Sequence, residues 1–203
     1  MTLAAPTLIA INGKRPRVHD SAFVAPGAYL IGDVDVGPDA SIWYNCVLRA
    51  DINRIVIGSR SNLQDGTIVH VEADGPEPGG LPTLIGEDVL VGHMALLHGC
   101  VVESGAFVGM GAIVMDNCRI ERRAMLAAGA MLTPGKCVPS GKLWAGRPAR
   151  EMRELTENEF AQMAAQSGHY VENAKAHRKA CAEANKGSGD EILRGRKGHA
   201  NLI

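Results

Sequence analysis

Aliphatic residues recur at every sixth position through most of the chain. The stride runs Val24, Leu30, Val36, Ile42, Leu48, slips by three residues across Asp51-Ile52-Asn53-Arg54, and resumes as Ile57, Leu63, Val69. From Leu84 it continues as Leu90, Leu96, Val102, Val108, Val114, Ile120, Leu126, Leu132 and Val138. An α-helix has a period of 3.6 and would spread such a series around its circumference. A solenoid with one short strand per hexad keeps every one of these side chains inward, stacked on the residues above and below. Three hexads close a triangular coil, so the spacing predicts a mainly β fold. It would be a parallel β-helix of about six coils, standing roughly 29 Å tall at the usual strand separation. The competing reading is a sandwich of short strands, and hexad regularity carried through Gly-rich corners argues against it.

The interruptions divide the chain. After Val69 the next hexad is Ile85-Gly86, followed by Val91-Gly92 and Leu97-His98. The ten residues from Ala73 to Pro82 are therefore an excursion, and their Gly and Pro content is turn chemistry. A slip of one residue near Leu96–Val102 reads as a corner adjustment. Beyond Val138 the segment Leu143-Trp144-Ala145-Gly146-Arg147-Pro148-Ala149 reads as an extended exit. Thr156-Glu157-Asn158-Glu159 then offers a capping box. The helix it starts is expected to reach about Ala184, with Leu155, Phe160, Met163, Tyr170 and Val171 available to dock on the prism. The predicted organisation is a β-helix domain over 8–142, an exit segment and helix over 143–185, and a loose tail over 186–203.

Composition narrows the function classes. Aliphatics and 24 glycines dominate while aromatics make up 4%, which suits aliphatic stripes better than aromatic anchors. A formal net charge of −1 leaves no electrostatic footprint for nucleic acid or an anionic membrane surface. No apolar stretch has the length of a membrane span. The start, Met1-Thr2-Leu3-Ala4-Ala5-Pro6, lacks the basic region of a signal peptide. Five cysteines, odd in number and widely spaced, read as reduced thiols of a cytoplasmic protein.

The histidines carry the chemistry. His19, His169, His177 and His199 share no spacing and read as solvated or packing residues. His70 and His98 each take the second position of a hexad. Once the excursion is removed they lie one full turn apart. Their imidazoles should therefore stack about 4.8 Å apart at the backbone, close enough to converge on one Zn²⁺ with bonds of about 2.0–2.1 Å. His93 falls around a corner on another side of the triangle, so it should meet that pair only on a neighbouring prism. Such a heterologous contact suits threefold closure. The same bookkeeping places Arg49 one turn below His70, with Asp51 beside it. Asp65 falls one turn below His93, with Gln64 adjacent.

Taken together, Arg49-Ala50-Asp51, Asn62-Leu63-Gln64-Asp65, His70 and Gly92-His93-Met94-Ala95-Leu96-Leu97-His98-Gly99-Cys100 resemble the gamma-class carbonic anhydrases and their bacterial homologues. The exit Leu143–Ala149 is similar to theirs as well, and the likeness runs from about residue 8 to 185. The resemblance implies a left-handed parallel β-helix, a homotrimer, and metal sites at the subunit interfaces. His70 and His98 would come from one subunit and His93 from the next. It implies Zn²⁺, or Fe²⁺ or Co²⁺, and the reversible hydration of CO2 to bicarbonate by a metal-bound hydroxide. Gln64, Asn62 and Asp65 would form the catalytic set, Arg49 and Asp51 the interface, and Tyr170 a pocket wall. The loop after His70 departs from the archaeal enzyme's long acidic loop; it is short, and Glu72, Asp74 and Glu77 are its candidates for a proton shuttle. The alternatives are a hexapeptide acyltransferase using acyl-CoA, a metal-dependent thioesterase, and a non-catalytic assembly or scaffold homologue.

Overall fold

The computed structural model describes residues 5–73 and 79–191, the side chains of 186–191 excepted. The chain winds as a parallel β-solenoid of seven turns, followed by a single C-terminal helix. The first face carries Thr7–Ile9, the leading halves of Tyr29–Val36 and Val47–Ile57, then Ile68–His70, Leu96–His98, Ile113–Val114 and Met131–Leu132. The second carries Arg17–Val18, the trailing halves of the same two long strands, Thr83–Ile85, Val101–Val102, Arg119–Ile120 and Cys137–Val138. The third carries Phe23–Val24, Ser41–Ile42, Asn62–Leu63, Leu90–Val91, Phe107–Val108, Met125–Leu126 and Lys142–Ala145. Arg150–Glu154 closes the top by pairing antiparallel with Lys142–Ala145.

The hexad residues form one continuous core. Leu30, Leu48, Val69, Leu97, Val114 and Leu132 stack up the first face with no exposed surface. Each fully buried aliphatic of this size contributes roughly 1.5–3 kcal/mol of transfer free energy.

The coil count is seven rather than six. The six-residue stride does not register the first coil, where Leu8 and Val18 pair with Leu30 and Val36 but stand ten residues apart, nor the last rung, where Leu143 and Trp144 pair with Met125 and Leu126. Between 84 and 97 the inward residues are Ile85, Val91 and Leu97, as the hexads Ile85-Gly86, Val91-Gly92 and Leu97-His98 predict, rather than Leu84, Leu90 and Leu96 of the plain stride. Each inward residue there follows another aliphatic, so periodicity alone cannot choose between them. Leu90 points outward yet is buried under the helix, whereas Leu96 is 38% exposed.

The three-residue slip at Asp51–Arg54 is a bulge. Gly32 pairs with Ala50 and Asp33 with Arg54, which leaves Asp51, Ile52 and Asn53 outside the ladder. The helix, Glu157–Glu191, packs on the third face through Leu155, Met163, Leu90 and Leu143, flanked by Phe160 and Tyr170. It passes the expected end at Ala184, and the tail expected from Lys186 lies largely outside the described residues. No helix among the described residues is long and apolar enough to cross a membrane.

Candidate metal centre

Register builds the site. His70 and His98 are direct partners on adjacent rungs of the first face, their ring centroids 5.0 Å apart. Nδ1 of His70 faces Nε2 of His98 at 3.0 Å. Each ring has a carboxylate at its other nitrogen. Nε2 of His70 donates to Asp51 Oδ1 at 3.0 Å, and Nδ1 of His98 donates to Asp116 Oδ1 at 2.5 Å. Asp51 is free to make this contact because the bulge lifts it out of the ladder. It also accepts from Arg49 Nη1 at 2.6 Å. Burial pushes the Asp51 carboxyl upward, but the hydrogen bonds from His70 and Arg49 outweigh it and hold the group below its ordinary range.

This donor set fits a cation. A neutral imidazole carries one hydrogen, and here the outer nitrogen of each ring directs it to a carboxylate. The two facing nitrogens then present lone pairs to each other, a repulsion that a shared Zn²⁺ relieves. Bonds of about 2.0–2.1 Å at tetrahedral angles need nitrogens about 3.3 Å apart, close to the spacing found.

His93 stands elsewhere. It occupies the corner between the third and first faces, before the strand that ends in His98, so the width of the first face separates the two. Among the described residues of one chain, the one group of three ligand-type side chains that converges is Glu72, His98 and Asp116. His70, His93 and His98 do not meet within a chain. The corner holds a column of its own. Asp65, one rung below, places Oδ2 2.9 Å from His93 Nδ1. The next corner position is left-handed at every level: Gly27, Asn45, Gly66, Met94, Gly111 and Gly129. Met94 thus takes a backbone conformation (φ 60°) that its neighbours leave to Gly and Asn, and its side chain is 70% exposed beside His93. A left-handed non-glycine residue costs roughly 1–2 kcal/mol.

Behind this corner lies a buried amide pair. Gln64 Nε2 donates to Asn62 Oδ1 at 3.1 Å. Both residues are buried, and Asn62 Nδ2 has no protein partner. Tyr170 packs edge-on against Trp43, with ring centroids 5.5 Å apart. Burial, and behind it the charge of Asp65, raises the Tyr170 hydroxyl pKa. Glu72 closes the base of the excursion through its bridge to Leu81, and Asp74 and Glu77 lie outside the described residues. Asp116 was not anticipated from sequence: the ladder sets it above Gly99, one residue past His98, and its side chain reaches back to the ring.

No family model matches the chain. Among curated proteins it is 47% identical over 171 residues to gamma carbonic anhydrase 2, mitochondrial, of Arabidopsis thaliana, covering 84% of this chain and 62% of that protein. It therefore spans about three fifths of that plant relative. It is 37% identical over 178 residues to a carbonic anhydrase of Geobacillus kaustophilus, covering 85% and 94%. Among solved structures, a hexapeptide transferase family protein of Anaplasma phagocytophilum superposes with a TM-score of 0.78 at 44% identity, covering 84% and 97%. A putative acetyltransferase of Bacillus cereus superposes at 0.82 and 35%, covering 86% and 98%.

Proposed function

The chain belongs to the gamma carbonic anhydrase family, and from that premise we propose that it is a homotrimeric, Zn²⁺-dependent carbonate dehydratase acting on CO2 and bicarbonate. One observation carries the reading: a carboxylate-backed histidine pair stands at one edge of a face, and a third carboxylate-backed histidine stands at the opposite corner. Two chains are needed to join them. The first face is suited to such contact, because the outward column beside His70 and His98 is apolar and includes exposed Tyr29, Ile68 and Leu96. Met94, strained and exposed beside His93, supports the same role for that corner. A corner of one triangular prism set against a face of the next is a heterologous contact, and three copies close it into a ring.

Zn²⁺ on three histidines, when bound, supplies the Lewis acidity that brings water to a pKa of about 7, as in other His₃ carbonic anhydrases. Fe²⁺ or Co²⁺ also suits three imidazoles. His70 and His98 of one chain and His93 of the next would hold it. Asn62 Nδ2 is a buried donor that a bound substrate oxygen can satisfy. Gln64 orients the attacking water, and Asp65 keeps the His93 ring in place. Glu72, exposed and close to His98, takes the released proton to solvent. Tyr170 walls the pocket, and Arg49 with Asp51 braces the interface. Five free cysteines suit a reducing compartment such as the cytoplasm.

Similarity to a hexapeptide transferase family protein and to a putative acetyltransferase favours a second reading, acyl transfer from acyl-CoA. Such a reaction needs a single interfacial base, and three carboxylate-backed histidines are then unexplained. Metal-free protein should be reloaded with Zn²⁺, Fe²⁺ or Co²⁺, then assayed for metal content, mass in solution, CO2 hydration and acetyl-CoA turnover. One metal per chain in a trimer that hydrates CO2 supports the proposal. Protein that binds no metal, or that acetylates without hydrating CO2, overturns it.

A further inference from the structure

Every metal-ligating imidazole must choose which nitrogen to present, and His98 is the ring for which that choice is most exposed to error. It stands between His70 on one side and two carboxylates, Glu72 and Asp116, on the other, their ligand atoms all within 4.8 Å of one another. We propose that Asp116 is a positioning residue of the metal centre: its carboxylate fixes the tautomer and ring orientation of His98, and Gly99 is the residue that admits it. The inference rests on the metal reading above and adds a residue to it.

Placement of the carboxylate argues for design by the coil. Leu97 pairs with Val114, so Met115 lies above His98 and Asp116 above Gly99. To reach the imidazole, Asp116 must lean back over residue 99. A Cβ there would lie 2.7 Å from Asp116 Oδ1 and 3.0 Å from Leu81 Cβ, so a larger residue forces the carboxylate to shift, on a backbone that is already left-handed at φ 50°. The backbone around Asp116 is tied on both sides. Asn117 N–H donates to the Gly99 carbonyl at 2.8 Å, and Gly135 N–H donates to the Asp116 carbonyl at 2.9 Å. The backbone that carries the acceptor is therefore fixed before any ion arrives.

Glu72 differs. It is exposed, it accepts a hydrogen bond from the N–H of Ala73, and it has no hydrogen bond to His98. Negative charge near the ring is thus supplied twice, but a positioned acceptor only once. With Asp116 on Nδ1, Nε2 is left to face the ion. Without it, the two tautomers compete and the ring loses its anchor.

The test compares Asp116→Asn, Gly99→Ala and Glu72→Gln in the full chain, with Zn²⁺ affinity measured by chelator competition and His98 tautomer read by ¹⁵N NMR on metal-free protein. Asp116→Asn and Gly99→Ala should each weaken Zn²⁺ binding by roughly ten- to a hundred-fold, while Glu72→Gln leaves it unchanged. In wild type His98 should carry its hydrogen on Nδ1, and in Asp116→Asn a mixture should appear. Unchanged affinity in Asp116→Asn, or an equal loss in Glu72→Gln, overturns the inference. If Asp116→Asn does not assemble, the wild-type spectrum decides, and a hydrogen on Nε2 of His98 overturns it. Wild-type protein that binds no Zn²⁺ defeats the metal reading instead, and the same spectrum still decides for or against Asp116.

Discussion

Three imidazoles, each with its own carboxylate, draw those carboxylates from three different devices of one coil. Asp51 comes from a bulge, Asp65 from the rung below, and Asp116 from the rung above. Rings held this way lose little freedom when a ligand arrives, which is how such outer partners raise affinity. Gln64 stands outside this scheme. It touches Asn62 and no histidine, so its contribution should appear in turnover rather than in binding. Gln64→Ala should keep its full metal content and lower kcat for CO2 hydration by roughly ten- to a hundred-fold. Metal analysis alongside stopped-flow hydration checks this, and metal loss in that variant would move Gln64 from the substrate to the ion. Loss of His98, in contrast, should remove metal and activity together.

At the scale of elements, the helix is set by its first turn. Thr156 Oγ1 accepts from Glu159 N–H at 3.3 Å, and Glu159 accepts in return from Thr156 N–H at 2.8 Å, completing the capping box expected at Thr156–Glu159. Arg153 adds two hydrogen bonds of 2.8 Å. These partners, Arg153 foremost and then the Thr156 backbone, lower the Glu159 carboxyl from 4.5 to about 2. A depressed folded pKa means that the stabilisation is complete above the unfolded value and is lost as pH falls. Helix docking should therefore weaken between about pH 4.5 and 2, and Glu159→Gln should remove that part of the acid transition. Circular dichroism followed down the titration reads it, and an unchanged profile in the variant would place the acid sensitivity elsewhere.

This cap, like most of the coil, was legible in the sequence, because inward aliphatics and capping pairs are local patterns. The placement of His70 over His98 was legible for the same reason. What was hidden depends on what covers a residue. Leu90 and Leu96 look alike in sequence, and only the docked helix separates them. Asp116 was hidden because Leu97 and Val114 are seventeen residues apart, one short of a full coil, so the expected column above His98 runs to Met115.

At the scale of the whole molecule, the first face poses a topological question. If each ion is held by His70 and His98 of one chain and His93 of the next, a chain lacking His93 and a chain lacking His70 are deficient in opposite halves of the site. His70→Ala and His93→Ala proteins should each lose Zn²⁺, since a three-ligand site tolerates such a loss poorly. Both should still assemble, because the apolar column through Tyr29, Ile68 and Leu96 is untouched. Dissociated and mixed in equal amounts, they should form trimers of which three quarters are mixed. In a closed ring, either mixed composition places one His70-bearing chain before one His93-bearing chain, and so rebuilds one site. The mixture should therefore recover about a quarter of the wild-type metal, with CO2 hydration in proportion. Differently tagged chains allow the mixed trimers to be isolated. Their recovery without metal would show that His93 does not cross to the His70 and His98 of its neighbour. Metal retained by either variant alone would place the ion on one chain, with Glu72 and Asp116 as the candidates to hold it beside His98.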